Sequence, residues 1–161
     1  MSETAQSKIA WRGVRLTARH RDALRWAERK WQKKYPGLTI QPSQGSWSGA
    51  AASAGTHSGT GAVDLRTKHL TKDQRIALVR ALKDAGMAAW YRPTNWDGRG
   101  GGEHIHALDI GGQTGMDASA KDQIRKYDAK RNGLRNNAAD TTYRPSPPVK
   151  FNYKQGKPVA R

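Results

Sequence analysis

The fold is decided by a short stretch near the middle of the chain, EHIHALDI at residues 103–110. Glycines flank it on both sides, and its pattern predicts a strand over residues 104–110. Successive side chains of a strand point to opposite faces, so His104 and His106 share one face while Ile105 points into the core. This stretch therefore predicts a sheet with a histidine pair on its accessible face.

A second segment supplies partners for these histidines. His57 is followed by a Ser- and Gly-rich turn at residues 58–61 and by a strand that carries Asp64. The glycines let the chain fold back, so His57 and Asp64 can reach one ion together with His106. Two histidines and a carboxylate with an open fourth position are typical of a hydrolytic zinc site.

Such a site also needs a base to take the proton of an attacking water. Glu103 and His104 lie beside the expected ligand His106, and both are candidates. The residues alone do not choose between them.

The order of elements predicts an α+β fold with a small, mainly antiparallel sheet and flanking helices. Strands are predicted at residues 38–41, 61–66, 87–92 and 104–110. One helix is predicted over residues 18–35 with Thr17 as its cap, and another over residues 72–85, opened by the capping box of Thr71 and Gln74 and ended by Gly86. A third helix runs from Ser119 to about residue 132.

The same pattern divides the chain into three parts. Residues 1–16 are expected to form an N-terminal tail, and residues 17–134 the domain that carries the site. Residues 135–161 are expected to form a basic, Pro-containing extended segment.

The net charge of +16 is placed unevenly along the 161 residues. Residues 1–35 hold ten Lys and Arg against three acids (+7), residues 36–117 eight against seven (+1), and residues 118–161 eleven against three (+8). The basic flanks predict attraction to polyanions, without sequence-specific binding of nucleic acid. The absence of cysteine excludes disulfides and Cys-ligated zinc.

Two further classes are disfavoured by the sequence. No apolar run approaches the ~18 residues of a membrane span, and the N-terminus shows no signal peptide. A His-metal nuclease would need another metal-binding histidine downstream, and no histidine follows His106.

The motif Ser53-x-x-x-His57-x-x-x-Gly61-x-Val63-Asp64, followed by EHIH at residues 103–106, resembles the zinc peptidases of the D-alanyl-D-alanine carboxypeptidase and Hedgehog-type group. The chain looks especially like small actinobacterial and actinophage members of that group. The shared text is Gln44-Gly45-Ser46, residues 53–65, residues 88–93 and residues 104–106.

The resemblance implies a Hedgehog/DD-peptidase-like fold with His57, Asp64 and His106 as zinc ligands. It implies Glu103 as the base in the carboxypeptidase pattern, or His104 as the catalytic histidine in the His-x-His pattern. It further implies cleavage of peptide bonds in bacterial peptidoglycan by a phage endolysin or a virion-associated cell-wall hydrolase acting at the host wall.

Four residues are candidates for contacting the substrate. Trp47 and Trp96 lie in Gly-rich loops on either side of the site, and Arg92 can hold a carboxylate in a bidentate way; Gln44 is the fourth. An alternative function is a virion structural or adaptor protein that keeps the peptidase-like fold and docks other virion proteins through its basic termini.

Overall fold

The computed structural model describes residues 2–49 and 55–161. The strands of this part are β1 (Lys8–Trp11), β2 (Val14–Thr17), β3 (Pro42–Gln44), β4 (Ala62–Leu65), β5 (Met87–Arg92), β6 (His104–Asp109), β7 (Val149–Asn152) and β8 (Lys157–Ala160). The helices are α1 (Ala18–Gln32), α2 (Lys72–Asp84) and α3 (Ala118–Asp128). The α+β class and the antiparallel sheet are confirmed.

The central sheet has the order β3-β4-β6-β5, and every neighbouring pair is antiparallel. Odd-numbered side chains of β5 and β6 face α1 and α2, where Ile105, Ala89 and Met87 join the main core. Even-numbered side chains face the other way, where Leu108 and Ala88 pack with residues of α3. The predicted alternation of β6 therefore divides a buried apolar face from a face that carries the histidines.

Helices α1 and α2 cover the first face through apolar stripes. Thr17 caps α1 by accepting from the His20 amide, and both halves of the capping box of Thr71 and Gln74 are present at α2. The main core contains Leu24, Ala27 and Trp31 from α1, with Leu78, Ala81 and Leu82 from α2. Burying each large apolar side chain stabilises the folded state by roughly 1.5–3 kcal/mol, and this contribution outweighs the weak intrinsic helix propensity.

The expected N-terminal tail at residues 1–16 contains a hairpin instead. Strands β1 and β2 pair antiparallel, and the Ala18 amide donates to the Ser7 carbonyl at 2.9 Å. Leu16 is fully buried in the main core. The four-residue strands were too short and too charged for their sequence to predict them.

The expected extended segment at residues 135–161 likewise ends in a hairpin, formed by β7 and β8. Phe151 of β7 is buried in the main core, and its carbonyl accepts from the Arg19 guanidinium at 2.8 Å. Gly86 ends α2 as predicted and has a second role: a Cβ there would lie 2.5 Å from the Phe151 amide nitrogen. Burial of Phe151 and hydrogen bonds such as that from Arg19 thus hold a segment whose composition predicts a loose chain.

The strand predicted at residues 38–41 is not formed; the strand begins at Pro42. The amide of Ile40 donates to a Glu28 carboxylate oxygen at 2.7 Å rather than to a neighbouring strand. Helices α1 and α3 also end earlier than predicted, at Gln32 and Asp128. Among the described residues, no helix is both long and apolar enough to cross a bilayer.

Candidate metal centre

A single row of side chains crosses all four strands of the central sheet. Gln44 pairs with Asp64, Asp64 with His106, and His106 with Trp90. Directly paired residues lie on the same face, so the row places Asp64 beside His106. The Trp90 ring stacks on the His106 ring at a centroid distance of 6.2 Å and an angle of 14°.

His57 reaches this row from the turn before β4. That turn packs tightly against residues 115–117: a Cβ on Gly59 would lie 2.3 Å from the Gly115 carbonyl oxygen. Gly61 has a φ of +78°, a conformation that favours glycine. The predicted role of these glycines in bringing His57 to Asp64 agrees with this geometry.

The ligand atoms converge on one oxygen, Oδ1 of Asp64. His106 Nδ1 lies 2.8 Å from it, His57 Nε2 3.2 Å and His104 Nε2 3.8 Å. One ligand atom each from His57, Asp64 and His106 lie within 4.8 Å of one another. This mostly buried group could hold a metal ion.

The other ring nitrogen of each histidine is fixed by a hydrogen bond. His57 Nδ1 donates to the Gly45 carbonyl at 2.9 Å, and His104 Nδ1 donates to the Gly102 carbonyl at 2.9 Å. His106 Nε2 donates to Gln123 Oε1 at 2.8 Å.

These hydrogen bonds determine which nitrogens carry protons in the neutral rings. A carbonyl oxygen only accepts, so the outer nitrogens hold the protons and the inner nitrogens turn lone pairs toward the Asp64 carboxylate. Convergent lone pairs and a carboxylate repel one another unless a cation or added protons lie between them. The donor set therefore fits a metal ion, and its outer hydrogen bonds are the kind that orient metal-binding histidines.

The electrostatics of the group favour the protonation states that a metal needs. Burial alone would raise the pKa of Asp64. When protons occupy the inner nitrogens of His106 and His57, hydrogen bonds and charge from these rings outweigh burial and hold that pKa well below its ordinary value, and a metal ion in the place of those protons would act in the same direction. Burial lowers the pKa of His106, and Asp64 opposes this only in part. Metal ligation requires an ionised carboxylate and neutral imidazoles.

Glu103 lies away from this group. Its carboxylate accepts from the Thr67 hydroxyl at 2.9 Å and from the Tyr91 hydroxyl at 3.1 Å. Tyr91 pairs with Ile105, whose side chain lies in the main core. Of the two base candidates, the structure brings only His104 to Asp64.

His104 has two large neighbours at the open side of the group. The Trp96 ring meets the His104 ring edge-on at 5.5 Å, and Arg92 is the cross-strand partner of His104. The Arg92 guanidinium lies 5.0 Å from the Trp90 ring centroid and 5.8 Å from that of Trp96.

Arg92 is an unusual group for a buried position. Its side chain is 4% exposed, and its Nη2 atom has no hydrogen-bond partner within residues 2–49 and 55–161. Burial lowers the pKa of Arg92 to about 10, so the group is still a cation at neutral pH. A buried cation with a free donor is a candidate for holding an anionic group of a ligand.

The remaining predicted substrate residues lie at different distances from the group. Gln44 is in the same row as Asp64 and donates to the Ser48 hydroxyl at 3.0 Å. The Trp47 ring has Lys8 Nζ over it at 4.7 Å and, within the described ranges, no ring contact with the histidines. Ser53 of the sequence motif lies outside the described residues.

Two contacts of His106 were missed by the sequence reasoning. Gln123 lies on α3, and no local pattern marks it, because its role depends on how α3 packs over the sheet. Trp90 packs with Leu108 and residues of α3 and also stacks on His106. The one sequence signal for this stacking is that Trp90 and His106 lie at facing positions of two strands predicted to be neighbours.

Comparisons with protein-family models, with curated proteins and with solved structures found no match. The resemblance to the zinc peptidases therefore rests on the motif residues alone.

Proposed function

We propose that this protein is a zinc-dependent hydrolase that cleaves peptide bonds in bacterial peptidoglycan. The observation that carries the proposal is the convergence of His57, Asp64 and His106, with the outer nitrogens of both histidines tied by hydrogen bonds. Two neutral imidazoles and one carboxylate suit zinc better than magnesium or calcium, which prefer oxygen ligands. The restriction to peptidoglycan rests on the motif resemblance.

A zinc ion held by His57, Asp64 and His106 would act as a Lewis acid, polarising the scissile carbonyl and lowering the pKa of a bound water to roughly 7. The protein supplies the base: His104 Nδ1 is held by the Gly102 carbonyl, which leaves Nε2 free to accept a proton. In peptide hydrolysis that proton passes to the leaving amine when the C–N bond breaks. Fixing the ring by one nitrogen keeps the other aimed at the reaction centre.

Arg92 and Trp96 are placed to receive the substrate beside His104. The free Nη2 of Arg92 can hold a carboxylate of a wall peptide, and the indole of Trp96 can pack against its apolar part. Gln44 and Trp47 remain candidates for the opposite side of the cleft. A protein of this kind acts at a host cell wall, as a phage endolysin or as a virion-associated enzyme.

The alternative, a virion adaptor that keeps the fold without activity, is less favoured. It calls for free basic arms, whereas both ends of this chain form hairpins whose Leu16 and Phe151 are buried in the core.

The test combines metal analysis with digestion of purified peptidoglycan. Wild type should bind about one zinc ion per chain and release wall peptides that mass spectrometry identifies. His106→Ala should lose both properties, whereas His69→Ala, at an exposed histidine, should keep both. A wild-type protein without zinc, or a His106→Ala variant that digests walls normally, would refute the proposal.

A further inference from the structure

A basic groove lies beside α2, and one end of it reaches Trp90 and Arg92 next to the metal-binding group. We call it the α2 groove. It consists of two adjoining hollows of about 550 Å³ and 400 Å³, which share Arg80 and Tyr143. One hollow extends along α2 and the end of β5 to Arg92, and the other lies between α1 and α2.

The groove has an excess of cations without partners. Lys72, Arg75 and Arg80 line it, and none of them forms an ion pair within the described ranges. Its two acids are already engaged. Asp84 is paired with Lys30 at 2.7 Å, and Asp140 with Arg144 at 3.1 Å.

Two of these cations are held in place by aromatic rings. The guanidinium of Arg75 lies 4.3 Å from the Tyr91 ring centroid, and that of Arg80 lies 4.0 Å from the Tyr143 ring centroid. Stacking fixes the planar groups while their N–H donors stay available at the edge. The groove is therefore a preformed row of cations, with Ile76 56% exposed beside it.

Arg92 adds a buried cation at the end of the groove that adjoins the proposed substrate site. It lines the end of the larger hollow, is only 4% exposed, and has Nη2 without a partner in the described structure. An unpartnered buried donor destabilises the folded state, and hydrogen bonding to an anionic ligand would offset that cost.

We propose that the α2 groove binds a phosphodiester polymer of the cell-wall type, with poly(glycerol phosphate) as its simplest form. Spaced arginines match repeated phosphates, which accept bidentate hydrogen bonds. Guanidinium groups already stack on Tyr91 and Tyr143, so these rings favour a polymer without bases over single-stranded nucleic acid, which binds by base stacking. The choice of a wall polymer rests on the proposed function, whereas the anion site itself does not.

Binding of fluorescent poly(glycerol phosphate), measured by anisotropy over a range of salt concentrations, tests this proposal. The groove variant is Lys72→Gln/Arg75→Gln/Arg80→Gln. A control of equal charge is Lys68→Gln/Lys154→Gln/Lys157→Gln, made at exposed lysines outside the groove. The groove variant should bind about tenfold more weakly near 0.1 M salt. The plot of log K against log salt has a negative slope, and the magnitude of that slope should be smaller by about 2–3 in the groove variant than in wild type.

Three outcomes are informative. Equal losses of affinity in the two triple variants would refute binding in the groove, because net charge alone would then explain the affinity. Tighter binding of single-stranded DNA with the same number of phosphates, lost in the groove variant, would refute the wall polymer. Unchanged polymer binding by His106→Ala, with zinc absent, would show that the groove binds the polymer independently of the proposed hydrolase activity. Melting curves would verify that all variants are folded.

Discussion

At the scale of single residues, the candidate site depends on which nitrogen of each histidine is occupied. Backbone carbonyls hold Nδ1 of His57 and His104, whereas Gln123 holds Nε2 of His106. The rings therefore cannot turn without losing a hydrogen bond. Orientation is settled before any ion or substrate arrives, which reduces the cost of binding either.

The two candidate bases make opposite predictions. His104→Ala should lower kcat for wall-peptide hydrolysis by about 10²–10⁴-fold with zinc content unchanged, since it removes the proton acceptor but no ligand. Glu103→Gln should change kcat less than about threefold, because Gln keeps an acceptor for Thr67 and Tyr91. Steady-state kinetics and metal analysis of both variants decide between them, and the reverse ranking would assign the base to Glu103.

His20 predicts a dependence of stability on pH. It is fully buried, and burial lowers its pKa from 6.5 to about 4. The positive charge of Arg19 lowers the pKa further, whereas the negative charge of Asp109 raises it in part. The folded state thus binds fewer protons than the unfolded state between these values, so stability is complete above pH 6.5 and falls as pH drops toward 4. The loss from this group should reach at most about 3 kcal/mol.

The variant His20→Leu isolates that contribution. Neither ring nitrogen of His20 has a hydrogen-bond partner in the described structure, so Leu should match or exceed the neutral-pH stability. Urea unfolding gives the free energy of unfolding at pH 7 and at pH 5. The difference between these two free energies should be smaller for His20→Leu than for wild type, and for the exposed His69→Gln it should equal that of wild type. A His20→Leu variant with the wild-type pH difference would contradict this.

At the scale of elements, four short strands are arranged so that each contributes one residue to a single row across the sheet at the site. The tight turn before β4 is the most constrained of these connections, since Gly59 packs on the Gly115 carbonyl. The structure has no room there for a side chain. Displacement of this turn would move His57 away from Asp64.

Gly59→Ala should therefore weaken both stability and metal binding. The added Cβ would lie 2.3 Å from the Gly115 carbonyl oxygen, so backbone would have to shift, and such overpacking costs about 1–3 kcal/mol. Gly49→Ala is the matched control, because a Cβ there meets no atom of the described residues within 4 Å. Thermal melts and zinc titrations of both variants measure the effect, and equal behaviour of the two would show that the turn can relax.

The elements that could be predicted from sequence are those with a local cause. The capping box at Thr71, the glycine after α2 and the alternation of β5 and β6 each act over a few residues, and they predicted these elements closely. The same alternation brought His104 and His106 to one face. Spacing alone could not reveal that Glu103 turns to Thr67 and Tyr91, because that choice depends on packing across the sheet.

At the scale of the whole molecule, distant parts of the chain are joined through one buried ion pair. Arg19 of α1 bonds the Asp109 carboxylate of β6 at 2.6 Å and the Phe151 carbonyl of β7 at 2.8 Å. The C-terminal hairpin is thus part of the same cooperative structure as the sheet. Its removal would leave Arg19 and the main core partly uncovered.

Phe151→Ala should accordingly destabilise the whole protein. Truncation of a buried aromatic side chain costs about 3–5 kcal/mol, and Phe151 is 2% exposed. Lys150→Ala, at its exposed neighbour in the same strand, should cost less than about 0.5 kcal/mol. Denaturant unfolding followed by circular dichroism tests this, and a separate early transition in Phe151→Ala would mean that the hairpin unfolds alone.

The alternation of side chains along β6 limits where this chain can tolerate insertions and deletions. An insertion of one residue between His104 and His106 would send one imidazole into the main core and bring an apolar side chain to Asp64, so activity and stability would be lost in a single step. Loop residues 93–102 precede the strand and can lengthen or shorten without altering this parity. Variants of the chain should therefore accept changes of length in that loop that leave Trp96 against His104, while keeping the two-residue histidine interval.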